Sequence, residues 1–509
     1  MKLSFIPTLL HAFVLGGVGY GLFWYWRKCL GAWDAWQPSM KKLARAGLTA
    51  AAVVLAILLL RLTSDDLDMT AIGAAAMFGF CAIPARRLAR GHSLGGPEHP
   101  AKPGLATAAT IAAMVKKSKR PADVTFGGAP VPVDLEARHL LVAGAPGSLK
   151  NDTFVWLLDT LKERGDTVIV FDPQALLLQR YWNPATDLLF NPYDARSCSW
   201  NPLGEIEALW DVEALARAMS ANPPAEFREQ APHVHALLTV LLQKVVGTEK
   251  KSLAELLRLV QTCPVAELQG IIQGSPAAYL LDASVAFDTV RAAATQQLAC
   301  YRALVATEGN ASLSLTQFVQ SKKDSFLFIT VSKEQLPAVR NILTAMLDTV
   351  VRALLALPEN PQRRVWLVLP DLATFGKIPS LVSLPVPSKD ASGRLALGVQ
   401  SLPELADSYG DTAAVALLQA MSSAVALNCD DEALARYLSE RFGKVAKNAS
   451  GKGGPEEAKP LVDAADLEAL GARQALLKLA GSFPLCAVEI DSPEKYGAAT
   501  EAFVPAQGR

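Results

Sequence analysis

Hydrophobic residues are distributed along this chain in two different ways. Residues 3–26, LSFIPTLLHAFVLGGVGYGLFWYW, carry no charge and then meet Arg27 and Lys28. Two further apolar runs, residues 46–62 and 69–84, flank the acidic spacer SDDLD. A helix crossing a bilayer core of about 30 Å needs roughly 20 apolar residues, so the first run suffices and the pair predicts a compact hairpin. Lys41, Lys42 and Arg45 precede that pair, and Arg86, Arg87 and Arg90 follow it. Basic flanks with acids at the turn place both ends in the cytoplasm. The first run ends in Trp24, Tyr25 and Trp26 with no small-x-small cleavage site, which favours a retained anchor over a removed signal peptide.

Beyond the Pro- and Gly-rich stretch SLGGPEHPAKPG at 93–104 and the basic run KKSKR at 116–120, the pattern changes. Short β-branched runs at 168–172, 326–331, 365–369, 395–399 and 424–427 read as buried strands with helical stretches between most of them. That alternation predicts an α/β fold with a mainly parallel sheet and helices on its faces. Between Glu205 and about Leu315 the strand signal disappears and amphipathic helices take over, for example residues 283–307. This predicts an all-helical domain inserted into the α/β domain. The expected organisation is an anchor at 1–92, a linker at 93–124, a first α/β part at 125–205, the helical insert at 206–315 and a second α/β part at 316–509. NASGKGGPEEAKP at 448–460 reads as an exposed loop.

Composition narrows the function. The 509 residues balance 49 Lys+Arg against 49 Asp+Glu, which argues against holding nucleic acid by bulk charge. The 7 cysteines are scattered singly, so neither a disulfide framework nor a CxxC zinc site organises the fold. KKSKR reads as a solvated, membrane-proximal helix end, with anionic lipid or nucleic acid as the functional alternatives.

HLLVAGAPGSLKND at 139–152 has the frame of a phosphate-binding loop: an apolar strand, a Gly-containing turn, a lysine and a helix. Gly144 opens the loop, Gly147 and Ser148 lie in its middle, and Lys150 follows. Leu149 stands where a glycine is required, and Asn151 stands where a Ser or Thr hydroxyl would hold magnesium. If position 149 needs a positive φ, leucine there costs about 1–3 kcal/mol. Two readings of Lys150 stay open: a surface lysine at a helix start, and residual nucleotide binding.

The ordered series GDTVIVFDP (165–173), TDLLFNPYDARSCSWNPLGEI (186–206), the long segment from FLFITV (326–358), VWLVLPDLATFGKIPSL (365–381), GVQSLPELADSYG (398–410) and FPLCAVEI (483–490) resembles the type IV secretion coupling proteins. These are the TraG/TraD-like group of membrane-anchored, FtsK/HerA-type ATPases. The resemblance spans about residues 110–490 and implies a RecA-like P-loop NTPase fold with an inserted helical domain and N-terminal transmembrane helices. It further implies a hexameric ring at the bacterial inner membrane, with its large domain in the cytoplasm. Such a ring receives relaxase-bound DNA or protein effectors and passes them to secretion-channel components. By the same resemblance the phosphate loop maps to Gly144–Asn151, the acidic strand end to Pro370 and Asp371, and the γ-phosphate-sensing glutamine to Gln400.

Proline at 370 cannot ligate a metal, and Asp371 is one methylene shorter than the family's glutamate. Phosphoryl transfer rests on positioning and charge neutralisation by magnesium, so these losses imply a site that does not hydrolyse ATP. ATP is therefore expected to bind weakly or not at all, and magnesium is not expected. The expected function is a docking platform without turnover. The alternatives are an active translocating motor, in mixed rings with an intact paralogue, and a DNA-binding module, which the neutral charge opposes. Arg340 and Arg352 read as structural rather than as the arginine given to a neighbouring subunit.

Overall fold

The computed structural model describes residues 104–506 apart from 283, 308, 322–323, 383, 385–386, 446–458 and 494–499. The three apolar runs read as an anchor, and nearly all of the 448–460 stretch, lie outside the described residues. Among the described residues no helix is long and apolar enough to cross a membrane.

A 10-stranded sheet organises the domain. In chain order its strands are β1 (Ala106–Thr107), β2 (Leu140–Ala143), β3 (Thr167–Phe171), β4 (Leu188–Phe190), β5 (Phe326–Ile329), β6 (Val365–Leu369), β7 (Gly393–Val399), β8 (Ser423–Ala426), β9 (Gln474–Lys478) and β10 (Cys486–Glu489). Across the sheet they lie in the order β1-β10-β9-β8-β2-β7-β6-β3-β5-β4. The pairs β8–β9 and β9–β10 are antiparallel and the others are parallel. Strand periodicity explains why the central strands β2 and β6 are apolar at every position. Leu141, Ile169 and Leu367 enter the core on one face, whereas Val142, Val168 and Val368 enter a second core on the other. Both faces are covered, so neither can alternate with polar residues.

The sequence-read strands at 365–369 and 395–399 fall on β6 and β7. The run at 168–172 stops one residue early, at Phe171, because Asp172 turns away to accept the backbone N–H groups of Leu176 (3.1 Å) and Leu178 (2.7 Å). Residues 106–118, within the stretch read as a linker, form β1 and helix α1 (Ala108–Ser118) on the sheet edge. Ile111 and Val115 are four apart, share one helix face and are buried there.

Between β4 and β5 the chain leaves the sheet and builds a helical unit: α2 (Leu209–Met219), α3 (Ala231–Val246), α4 (Leu253–Gln261), α5 (Val265–Ile272) and α6 (Phe287–Leu298). The neck is a two-strand pairing of Ser199–Trp200 with Ser312–Leu313. The buried Glu205 carboxylate fastens it by accepting the N–H groups of Leu315 (2.6 Å) and Thr316 (3.1 Å) and the Trp200 indole N–H (3.1 Å). The helix read across 283–307 is instead α6, a 3-10 turn at Ala299–Tyr301 and a short helix at Arg302–Val305. Tyr301 is fully buried there and donates its hydroxyl to the Asn341 carbonyl (3.1 Å), a tertiary tie at the point where the helix tightens.

Candidate functional site

The loop after β2 sits where the parallel sheet opens, between the ends of β7 and β8. Gly144 N–H donates to the Val399 carbonyl (3.0 Å) at the end of β7, and Ala145 N–H donates to Asn428 (2.8 Å) just past β8. The loop is thereby pinned on both sides. A Cβ at Gly144 would lie 2.5 Å from the Ser148 hydroxyl and 2.9 Å from Leu427 Cβ, so only glycine fits. The Ser148 hydroxyl donates to the Ala145 carbonyl (2.6 Å) and braces the turn from within.

Gly147 has φ +85 and Leu149 has φ 58, both left-handed. Leu149 therefore adopts the conformation that glycine takes freely, and helix α7, the 15-residue Lys150–Arg164, begins on it. Left-handed residues alternating with right-handed ones turn successive N–H groups toward a common point, a cradle for anions at a helix start. Lys150 opens that helix and is 8% exposed. Burial lowers its pKa, while the carboxylates of Asp371 and Glu404 and the Cys429 thiol oppose the shift. Among the described residues Lys150 has no ion-pair partner.

The remaining sequence-read positions gather at the same end of the sheet in different states. Asp371 follows β6, and its Oδ1 is buried without a hydrogen-bond partner. Pro370 precedes it, and β7 comes so close that a Cβ on Gly398 would lie 1.9 Å from the Pro370 carbonyl oxygen. Gln400 follows β7 and donates its side-chain N–H to Glu404 (3.2 Å). Asn151 is exposed in the first turn of α7.

This donor set fits phosphate better than a divalent cation. The cradle and Lys150 would hold phosphate oxygens. Toward magnesium the sequence-read positions offer, among the described residues, the orphaned Asp371 oxygen, beside a proline and with an amide in place of a hydroxyl. Asp172, which follows β3 as Pro370 follows the neighbouring β6, is committed to the helix Leu176–Tyr181, and burial pushes its carboxyl up to about 6.

Glu404 was missed from the sequence, although its signal was present. Ser401 and Glu404 have the Ser-x-x-Glu spacing of a helix start, and Ser401 caps α9, where α8 is Leu336–Leu355 and α9 is Leu402–Tyr409. Arg352 on α8 bonds Asp211 (2.9 Å) and approaches Asp348 (3.6 Å), both within the same chain.

A family model described as the type IV secretion-system coupling protein DNA-binding domain matches residues 123–491. The coupling protein TraD of Escherichia coli (strain K12) is 24% identical over 344 residues, covering 66% of this chain and 48% of TraD, so this chain spans about half the length of that relative. The unbound monoclinic form of the bacterial conjugative coupling protein TrwBdeltaN70 superposes with a TM-score of 0.70 at 27% identity, over 79% of this chain and 95% of that one. The plasmid coupling protein TrwB in complex with ADP and Mg2+ gives a TM-score of 0.69 at 26% identity, over 79% and 96% of the two chains.

Proposed function

This chain belongs to the type IV secretion-system coupling proteins, and from that premise we propose that it is a membrane-anchored docking platform that does not hydrolyse ATP. In this reading it sits at the bacterial inner membrane with its large domain in the cytoplasm. It assembles as a homo- or hetero-oligomeric ring and presents a relaxase–DNA complex or a protein effector to the secretion channel. The supporting observation is the split character of its phosphate site: the anion cradle around Lys150 is kept, while the groups that would grip magnesium are Asn151, Pro370 and a lone Asp371 oxygen.

TrwB has been seen with ADP and Mg2+, so the fold accommodates a nucleotide. Here Gly147, Leu149 and Lys150 would hold its phosphates. Bound nucleotide would supply negative charge to a lysine that burial otherwise disfavours, making it a ligand that orders the loop. Turnover needs a metal-supported transition state, and mutational losses of single electrostatic contacts already reach about 10²–10³-fold.

The test uses the full chain in lipid nanodiscs. Phosphate release with ATP and magnesium is expected to match that of the Lys150→Ala variant. Magnesium-dependent release that Lys150→Ala abolishes would overturn the reading in favour of an active motor. Restoring the family pattern with Leu149→Gly, Asn151→Thr, Pro370→Asp and Asp371→Glu is expected to tighten nucleotide binding. No gain would count against assigning these positions to one site.

A further inference from the structure

The basic run at the end of α1 is not used by the phosphate site. Thr107 caps the start of α1, and Lys119, at φ 54, ends it with its N–H bonded to Lys116 and Val115 carbonyls. With Ile111 and Val115 buried, Lys116, Lys117 and Lys119 are left exposed. Among the described residues none of these three side chains forms an ion pair. The acids nearby are already taken: Asp134 pairs with Arg120, and Asp123 lies 3.3 Å from Arg164. Lys478, a further cation at this corner, donates to the Phe483 carbonyl (2.7 Å).

The chain enters the domain at the same corner. Ala106 N–H bonds the Leu485 carbonyl (2.8 Å), and the Arg120 guanidinium lies 5.4 Å from the centre of the Phe483 ring. One turn, residues 483–485, therefore touches both the entry of the chain and the basic segment. Two antiparallel pairings separate β1 from β2, so both strands run the same way. The entry thus lies at the strand-start end of the sheet, opposite Lys150. Upstream, residues 85–104 carry Arg86, Arg87, Arg90 and Lys102 against a single acid, Glu98.

We propose that Lys116, Lys117 and Lys119 form a docking surface for anionic lipid headgroups of the membrane that holds residues 3–84. The proposal rests on reading those residues as a membrane anchor. Lipid is favoured over nucleic acid because the cluster shares its supporting turn with the chain segment that leads to the apolar runs. An anionic bilayer surface attracts each nearby lysine by about fivefold in local occupancy, and salt screens the attraction.

The full chain is reconstituted in vesicles of phosphatidylcholine, with or without phosphatidylglycerol. Amine-reactive labelling of the three lysines is then read by mass spectrometry against the exposed Lys250. Labelling is expected to fall at least about fivefold in anionic vesicles and to recover in about half-molar salt. Lys116→Gln/Lys117→Gln/Lys119→Gln should abolish the lipid-dependent protection of α1 backbone amides from hydrogen exchange. Equal labelling in both vesicles, in a chain that resists an alkaline carbonate wash, overturns the docking surface and leaves the anchor standing. Release of the chain by the wash overturns the anchor and the docking surface together. Protection by a short DNA duplex in neutral vesicles, without protection by anionic lipid, overturns the proposal in favour of nucleic acid.

Discussion

At the strand-start end of the sheet, the Arg164 guanidinium lies 2.8 Å from Glu136 and 2.6 Å from Asp166, and Asp166 also accepts the Trp366 indole N–H (3.1 Å). Arg394 is 1% exposed, approaches Glu136 (3.9 Å) and donates to the carbonyls of Arg363 (3.0 Å) and Ser392 (2.9 Å). At the opposite end Lys150 is nearly as hidden, yet its opposing charges, Asp371 and Glu404, act on it without an ion pair. Buried charge that is matched from within serves the fold. Buried charge left without an ion pair at the mouth of a parallel sheet is charge that a ligand could match. His139 shows how dry the matched end is: burial and the Arg394 charge lower its pKa to about 3, so it stays neutral and accepts the Leu395 N–H (3.2 Å).

Breaking the matched end should have the largest effect. Arg164→Met leaves Glu136 and Asp166 buried without their main cation and is expected to cost about 3–5 kcal/mol in urea unfolding. A loss below about 1 kcal/mol would remove the contrast between the two ends. Asp172 gives the next largest signal. Its folded carboxyl titrates at about 6 against an ordinary 3.8, so the folded state takes up a proton more readily. This contribution is complete below about pH 4 and is lost as pH rises through about 6, a swing of roughly 3 kcal/mol. Stability of the Asp172→Asn variant, compared with the parent between pH 4 and 7, should show that swing as a difference between the two curves.

Lys150→Met should do the opposite of Arg164→Met. Removing an unmatched buried cation is expected to raise stability by about 1 kcal/mol while abolishing any thermal shift produced by nucleotide. A loss of several kcal/mol would place Lys150 with the structural charges. The smallest effect belongs to Leu149→Gly. Relief of the left-handed backbone is worth about 1 kcal/mol, and loss of the leucine's packing against the second core offsets it. Stability should therefore change by less than about 1 kcal/mol, with a gain in phosphate affinity measured by calorimetry.

Much of the sheet was legible because its strands are short apolar runs between polar turns, a signal each segment carries alone. The phosphate loop was legible for the same reason, since strand, turn, lysine and helix are contiguous. The 106–118 segment was less so. Its Ala-rich helix buries only Ile111 and Val115, too little apolar surface to stand out beside a Pro-rich stretch. In the sequence Asp172 reads only as the end of a strand, because its bonds to the following helix depend on the turn between them. The Arg164 cluster left little local trace: only Arg164 and Asp166 are near in sequence, and Glu136 and Arg394 come from two other places in the chain.

By itself, the sequence determined most of the central strands and the place of the helical insert, and it determined the identities at positions 149, 151, 370 and 371. Those properties reside in side-chain chemistry and short-range periodicity. Only the tertiary structure decided that β2 would lie between β7 and β8, that Leu149 would accept a left-handed backbone, and that Lys150 would be buried within reach of Asp371 and Glu404. Strand order and burial are set by long-range pairing and packing, in which each residue's neighbours lie hundreds of positions away, and no local pattern records them.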